Sequence, residues 1–346
     1  MGDGGVVSIP DQQVGIVWPS GRSDGLVISV DLSGQLNYFA PGTPKPVRVV
    51  DGHQRNITAV GMHGDASKGT PATLFTGSYE GRVRAWDIST GTASAIDGES
   101  HSNQVSGLAS GASHMYSVGW DDTLRTIDAS AATMTGTAQK TSGQPTGVAH
   151  LSSGTVLVAT SSGIDIFSAS SGSKLGSFST KYSATCIAVP IEGSTIAVGC
   201  DDRHVRFYTL SSDKTSLQEA SAHISSLTAP PSTLAFSLDA SKLAVGLASG
   251  GISVFSTSDN VLITSRWSAH TSRITSIAWR GDGQFAASGS LDTNVFVWSL
   301  ASPGKRVKAA GAHKDGVGGV VWLGEEKVVS VGADAAVKTW AVKGLV

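Results

Sequence analysis

Along almost its whole length the chain repeats a short unit that ends in an aromatic residue, and no other feature limits its possible folds as strongly. Three copies are plain: GSYEGRVRAW (Gly77–Trp86), GSLDTNVFVW (Gly289–Trp298) and VGADAAVKTW (Val331–Trp340). Weaker copies, VGWDDTLRTI, ATSSGIDIF, GCDDRHVRFY and LASGGISVF, end at Ile127, Phe167, Tyr208 and Phe255. Successive end positions lie roughly 40 to 47 residues apart. Within a unit the apolar residues alternate, as in ITSIAW (Ile274–Trp279), then the turn Gly281–Gly283, the strand QFAASGS, the turn LDTN and the strand VFVWSL. Period-2 alternation with Asp/Gly turns predicts antiparallel hairpins, and no helical period of 3.6 residues competes with it. Four strands per unit at this period predict the blades of a β-propeller, an all-β ring that counts as one structural unit despite its length.

The units look like WD40 repeats, and their count decides the domain plan. Seven run from about Thr43 to Val346. An eighth set precedes them: Val14–Trp18, Leu26–Leu32 and Gln35–Phe39. The chain stops just after the last third strand, so the final blade lacks a fourth strand of its own. PVRVV (Pro46–Val50) is expected to supply it and close a seven-bladed ring, which removes exposed sheet edges. Residues 1–42 then form an extra blade-like unit before a seven-bladed propeller over 43–346. The alternative is an eight-bladed ring using every unit.

Composition narrows the function classes. Net charge is −2 and the pI about 6.5, with no extended basic run, so a nucleic-acid footprint is absent. No apolar stretch approaches the roughly 18 residues of a membrane span. The start, MGDGGVVSIP, has neither the basic nor the long apolar region of a signal peptide, and a cytoplasmic location is expected. Cys186 and Cys200 read as small buried hydrophobes in a reducing cytosol. The sequon Asn56-Ile57-Thr58 is then a chance match. No HExxH, paired CxxC, P-loop or dinucleotide fingerprint is present, so no catalysis and no cofactor are expected. Asp121-Asp122, and Asp201-Asp202 with His204, invite a metal reading, but Asp is favoured in such turns for turn chemistry and no metal is expected.

One constellation recurs at the blade period: His53/Thr76/Glu80/Trp86, His101/Ser117/Asp121, His270/Ser288/Asp292/Trp298 and His313/Ser330/Asp334/Trp340. Ile127 stands where the second set would have its Trp. Ser, His and Asp together suggest a catalytic triad, but a triad occurs once per site and this set repeats. Placed on a blade, it predicts a hydrogen-bonded chain from acid to His to hydroxyl to indole that fixes blade geometry. The unit ending at Phe167 has Ser161 at the acid position and no His. The unit ending at Phe255 keeps His223 but has Ser249 there. Both are expected to be held mainly by apolar packing and to open more readily.

Binding residues concentrate on loops carried by a rigid scaffold. Candidates for a partner surface are Arg55, Tyr79, Asn103, Gln104, Trp120, Arg203, Arg273, Lys314 and Asp315, with Trp120 the sharpest because interface hot spots are rich in Trp.

Several stretches carry a more specific resemblance: LVISVDLSGQLNYF (Leu26–Phe39) with Gly52-His53, ESHSNQVSGL (Glu99–Leu108) with DDTLR (Asp121–Arg125), and the block Ser299–Trp340. In order along the chain, these resemble the C-terminal half of the actin-interacting protein 1 / WD-repeat protein 1 family. The resemblance implies a protein without enzymatic activity that binds actin filaments decorated with cofilin (ADF), promotes their disassembly, and works as a monomer at the actin cytoskeleton. It also implies that residues 1–42 correspond to the last blade of a first propeller that this sequence does not contain.

Overall fold

The structure, a computed structural model, describes residues 12–32, 34–64, 72–225 and 227–344. The signal-peptide reading of the first ten residues falls outside them. Among the described residues there are 31 strands and no helix, arranged in eight sheets. The first sheet is β1 (Gln13–Val17), β2 (Val27–Asp31), β3 (Leu36–Phe39) and β4 (Arg48–Val50). The next two are β5–β8 (Ile57–His63, Thr73–Ser78, Val83–Asp87, Thr92–Ala95) and β9–β12 (Val105–Ser110, His114–Gly119, Thr123–Asp128, Thr133–Lys140). Then come β13–β16 (Pro145–Leu151, Thr155–Thr160, Gly163–Ser168, Lys174–Ser179) and β17–β20 (Ala184–Ala188, Thr195–Cys200, Val205–Leu210, Leu217–Ile224). The series ends with β21–β24 (Pro231–Phe236, Lys242–Leu247, Ile252–Ser256, Leu262–Trp267), β25–β28 (Ile274–Trp279, Phe285–Ser290, Val295–Ser299, Arg306–Ala309) and β29–β31 (Val317–Leu323, Lys327–Gly332, Val337–Ala341).

Each sheet is an antiparallel meander whose neighbours in sequence are neighbours in space. The first strands of the last seven sheets pack on one another in turn, and β29 returns to pack on β5. The result is a seven-bladed propeller with one additional sheet, as the repeat count implied. We number the blades 1 to 7 from β5–β8 to β29–β31. The second strands are buried on both faces, which is why they read as apolar runs of small residues (LFTGS, VLVAT, AASGS) rather than as strict alternation.

One expectation fails. PVRVV does not complete the final blade: Arg48, Val49 and Val50 pair with Tyr38, Asn37 and Leu36 in the first sheet. The turn after Phe39 is short enough for β4 to fold straight back onto β3, and local pairing wins over a distant edge. Among the described residues blade 7 therefore has three strands. None of β1–β4 pairs with a ring strand, and the first sheet leaves Ile16 77% and Trp18 66% exposed, so the ring does not cover it.

Side chains at the second position of the inner strands join the blades around the channel. The hydroxyls of Thr58, Thr146, Thr185, Ser232 and Thr275 donate to the carbonyls of Val105, Ala184, Pro231, Ile274 and Val317 on the following blade, at 2.6–2.8 Å. At the closing seam the equivalent residue is Gly318, where a Cβ would lie 1.9 Å from the Ile57 carbonyl oxygen. The ring closes there by direct backbone approach. Cys186 and Cys200 are both free and buried. They pack into different core clusters on the two faces of their sheet, so no bridge forms. Burial pushes their thiols up, to about 12 and about 11.

Candidate functional site

The face that carries the incoming loops and the turns between second and third strands is built on the recurrent His sets. In blade 6, His270 Nδ1 lies 2.9 Å from Asp292, its Nε2 2.8 Å from Ser288 Oγ, and the Trp298 indole donates to the same hydroxyl at 2.8 Å. Blade 7 repeats this through His313, with 2.6 Å to Asp334, 2.8 Å to Ser330, and 2.7 Å from Trp340 to Ser330. In blade 1 the distances are 3.2 Å (His53–Glu80), 2.7 Å (His53–Thr76) and 2.6 Å (Trp86–Thr76). Blade 2 has His101 at 2.9 Å from Asp121 and 3.0 Å from Ser117, with Ile127 packed where the indole would sit.

One proton arrangement satisfies every member. The indole N–H donates to the hydroxyl, the hydroxyl donates to Nε2, and Nδ1–H donates to the carboxylate, which leaves a neutral imidazole. Burial, the largest effect, lowers the pKa of His101, His270 and His313 and keeps them neutral. For Asp121, Asp292 and Asp334 burial alone would oppose ionisation. Hydrogen bonds outweigh it and hold all three carboxyls below the usual range, Asp334 at about 2. The acids also accept the next loop amide, from Ser102 and Thr271 at 3.0 Å, and so clamp the incoming loop. Thr76, Ser117, Ser288 and Ser330 are all 0% exposed, out of reach of any substrate. The sets act on the scaffold.

The other blades solve the same problem differently. Blade 3 does not rely on apolar packing alone. Asp165, on β15 and 1% exposed, accepts from the Ser142 amide at 2.6 Å, from the Ser142 and Ser177 hydroxyls at 2.7 Å each, and pairs with Lys174 at 2.9 Å. A buried acid on the third strand thus clamps the loop that the turn acid clamps elsewhere, while Ser161 has no such role. In blade 4, Asp201 accepts the Ser183 amide at 3.2 Å. Asp202 binds Arg206, whose guanidinium lies 4.0 Å over the Tyr182 ring. Blade 5 departs from expectation: His223 is an exposed residue of β20, the outer strand of blade 4, and the buried Leu227 occupies the incoming loop. With Ser249 at its acid position, this blade is the apolar one. Among the described residues no cluster of His, Cys, Asp or Glu could hold a metal ion.

On this scaffold one backbone bond recurs in every blade and aligns a ring of turn residues. The amides of Tyr79, Trp120, Ser161, Asp201, Ala248, Leu291 and Ala333 donate to the carbonyls of Asn56, Gln104, Gln144, Ser183, Pro230, Arg273 and Gly316, at 2.8–3.1 Å. Five of these seven positions, consecutive around the ring, are apolar: Ala248, Leu291, Ala333, Tyr79 and Trp120, on blades 5, 6, 7, 1 and 2, and three of them are large. Leu291, Tyr79 and Trp120 are 49%, 48% and 43% exposed. Leu291 and Ala333 line a cavity of about 340 Å³ at the channel mouth, together with Asn56, Gln104, Arg273 and Asp315. Arg55, Asn103 and Lys314 are exposed on the same incoming loops. Of the sequence candidates, only Arg203 falls elsewhere, in the blade 4 turn on the opposite side of the ring, with φ of 67°. Leu291 was missed, although it precedes Asp292 as Trp120 precedes Asp121. Aromatic anchors within a polar and cationic rim suit a protein partner.

Comparison with known proteins agrees with this geometry. The model of the WD domain, G-beta repeat, matches residues 44–87, 172–209 and 260–299. An uncharacterized WD repeat-containing protein of Schizosaccharomyces pombe is 36% identical over 96% of the chain and 53% of its own length. Actin-interacting protein 1 of Drosophila melanogaster is 32% identical over 98% of the chain and 54% of its own length. WD repeat-containing protein 1 of Gallus gallus is 32% identical over 97% and 54%. The chain thus spans about half the length of the curated relatives it matches. Among solved structures, the computationally designed Ika8 protein superposes with a TM-score of 0.60 at 20% identity, covering 96% of this chain and 97% of its own, a likeness of fold alone.

Proposed function

We propose that this chain, a WD40-repeat β-propeller similar to actin-interacting protein 1 and WD repeat-containing protein 1, is a non-enzymatic regulator of the actin cytoskeleton. In this reading it binds cofilin-decorated actin filaments as a monomer in the cytoplasm and promotes their disassembly. The observation that carries it is the run of relatives with those names, matched at 30–32% identity over nearly the whole chain. The apolar arc Leu291–Ala333–Tyr79–Trp120 is the surface assigned to the partner, because it is the exposed aromatic patch of the rigid loop face.

Co-sedimentation with actin filaments, with and without cofilin, tests the proposal. Cofilin-dependent pelleting that falls at least about tenfold in affinity for Trp120→Ala and Tyr79→Ala, with unfolding midpoints unchanged, supports it. Pelleting that ignores cofilin, or none at all, refutes it and leaves a WD40 scaffold for other assemblies.

A further inference from the structure

Among the described residues, every cation on a third strand of the ring is ion-paired: Arg84 with Asp51, Arg125 with Glu99, Arg206 with Asp202, and Lys338 with Asp334. The outer strands of blades 5 and 6 break that pattern. Arg266 lies on β24, Lys305 just before β28, and Arg306 and Lys308 on β28. All four are exposed, and among the described residues none of their side chains has an ion pair or a hydrogen bond. The chain as a whole has a net charge of −2, so this concentration of positive charge is local.

Register and packing bring these cations to one seam. Arg306 lies opposite Trp298 and Lys308 opposite Phe296, and both cationic groups stand over the Phe296 ring, at 5.8 and 5.6 Å. Phe296 and Trp298 belong to the core cluster between blades 5 and 6, where Trp267 stacks on Trp298 with ring centroids 5.8 Å apart. Arg306 and Lys308 therefore face blade 5. From blade 5, Arg266 reaches the other way: its guanidinium lies beside Gly304, where a Cβ would stand 3.1 Å from Nη2. Cations from two blades thus rim the outer edge of one aromatic interface. Like charges gathered in this way repel one another, so stability alone does not account for them. On the same strand as Arg266, Leu262 and Ile263 are 48% and 47% exposed.

We propose that the seam between the outer strands of blades 5 and 6 docks an extended, acidic segment of a partner protein. Its carboxylates supply the ion pairs that these four cations lack, and the two guanidinium groups can take them in bidentate fashion. A cleft edged by one sign of charge also draws in the opposite charge and repels its own. The exposed Leu262 and Ile263 favour a polypeptide over a free polyphosphate, because only the polypeptide brings side chains to cover them. A seam between two strands likewise admits a chain more readily than a flat bilayer. No residue of the channel-mouth arc takes part, so the test of this site stands independently of the actin reading.

The probe is a blocked decapeptide of aspartate with a few valines, tagged with fluorescein and titrated with the full chain by polarisation. The control peptide carries asparagine at every aspartate. The acidic peptide should bind at least about tenfold tighter than the control and weaken with added salt. Arg306→Glu should weaken binding at least about tenfold. Lys181→Glu makes the same change in net charge at an exposed lysine of the incoming loop of blade 4, and should weaken binding less than about twofold. In the unmodified chain, the bound peptide should shield Lys305 and Lys308, but not Lys181, from an acetylating ester. Equal binding of the asparagine peptide, equal losses for Arg306→Glu and Lys181→Glu, or an unshielded Lys308 overturns the proposal. So does co-sedimentation with phosphatidylserine vesicles when no peptide binds, which assigns the seam to a lipid surface.

Discussion

Replacing Ser288 by Ala should cost far more than losing one hydroxyl suggests. Ser288 Oγ accepts from the Trp298 indole at 2.8 Å and donates to His270 Nε2 at 2.8 Å, and Trp298 and His270 are 1% and 5% exposed. Alanine orphans both at once. At about 1–3 kcal/mol for each buried polar group left unpaired, Ser288→Ala should lose roughly 2–6 kcal/mol. The chain contains its own control. In blade 2 the position of the indole is held by Ile127, so Ser117→Ala orphans only His101 Nε2, now 3.0 Å from the hydroxyl. That variant should lose roughly 1–3 kcal/mol. Urea unfolding followed by tryptophan fluorescence, with slopes compared to confirm a common transition, measures both. The reasoning fails if the two variants lose equal stability, or if Ser288→Ala costs less than about 1 kcal/mol.

Acidification should weaken the fold in two stages. The folded pKa values of His101, His270 and His313 are lowered, so the unfolded chain takes up protons first. Their stabilisation is complete above the unfolded histidine pKa of about 6.5 and is lost as pH falls below it. Asp121, Asp292 and Asp334 are also lowered and add a second loss below about pH 4; a urea midpoint flat from pH 8 to 5 would contradict the first stage. Asp165→Asn should cost about 2–4 kcal/mol, because it weakens a buried acceptor of three hydrogen bonds and leaves Lys174 unpaired, and should speed amide exchange at Ser142. Gly318→Ala should destabilise the seam between blades 7 and 1, with exchange rising first on β5 and β29, since the added carbon collides with the Ile57 carbonyl. Cys186 and Cys200 should stay unreactive toward a thiol reagent until the chain unfolds, given their burial and raised pKa values.

The repeat period, the hairpin pattern and the His, hydroxyl, acid and Trp spacings were legible because each is local: a strand alternates by twos, and a turn acid sits a fixed distance from the hydroxyl it serves. The same locality explains the misses. Asp165 lies on a third strand rather than in a turn, so no offset flagged it. His223 resembles an incoming-loop His until pairing with Arg206 assigns it to β20.

The sequence by itself determined that this chain is a set of propeller blades, and which blades carry the His-centred anchor. In sequence those anchors lie at the two ends of the array, as far apart as the chain allows. Only ring closure, β29 against β5, makes blades 6, 7, 1 and 2 neighbours and turns Leu291, Ala333, Tyr79 and Trp120 into one surface. The structure also decided where β4 goes: it pairs within the first sheet, and among the described residues blade 7 has three strands. Both outcomes depend on contacts between residues hundreds of positions apart, or on competition between a near partner and a far one. No local pattern encodes either.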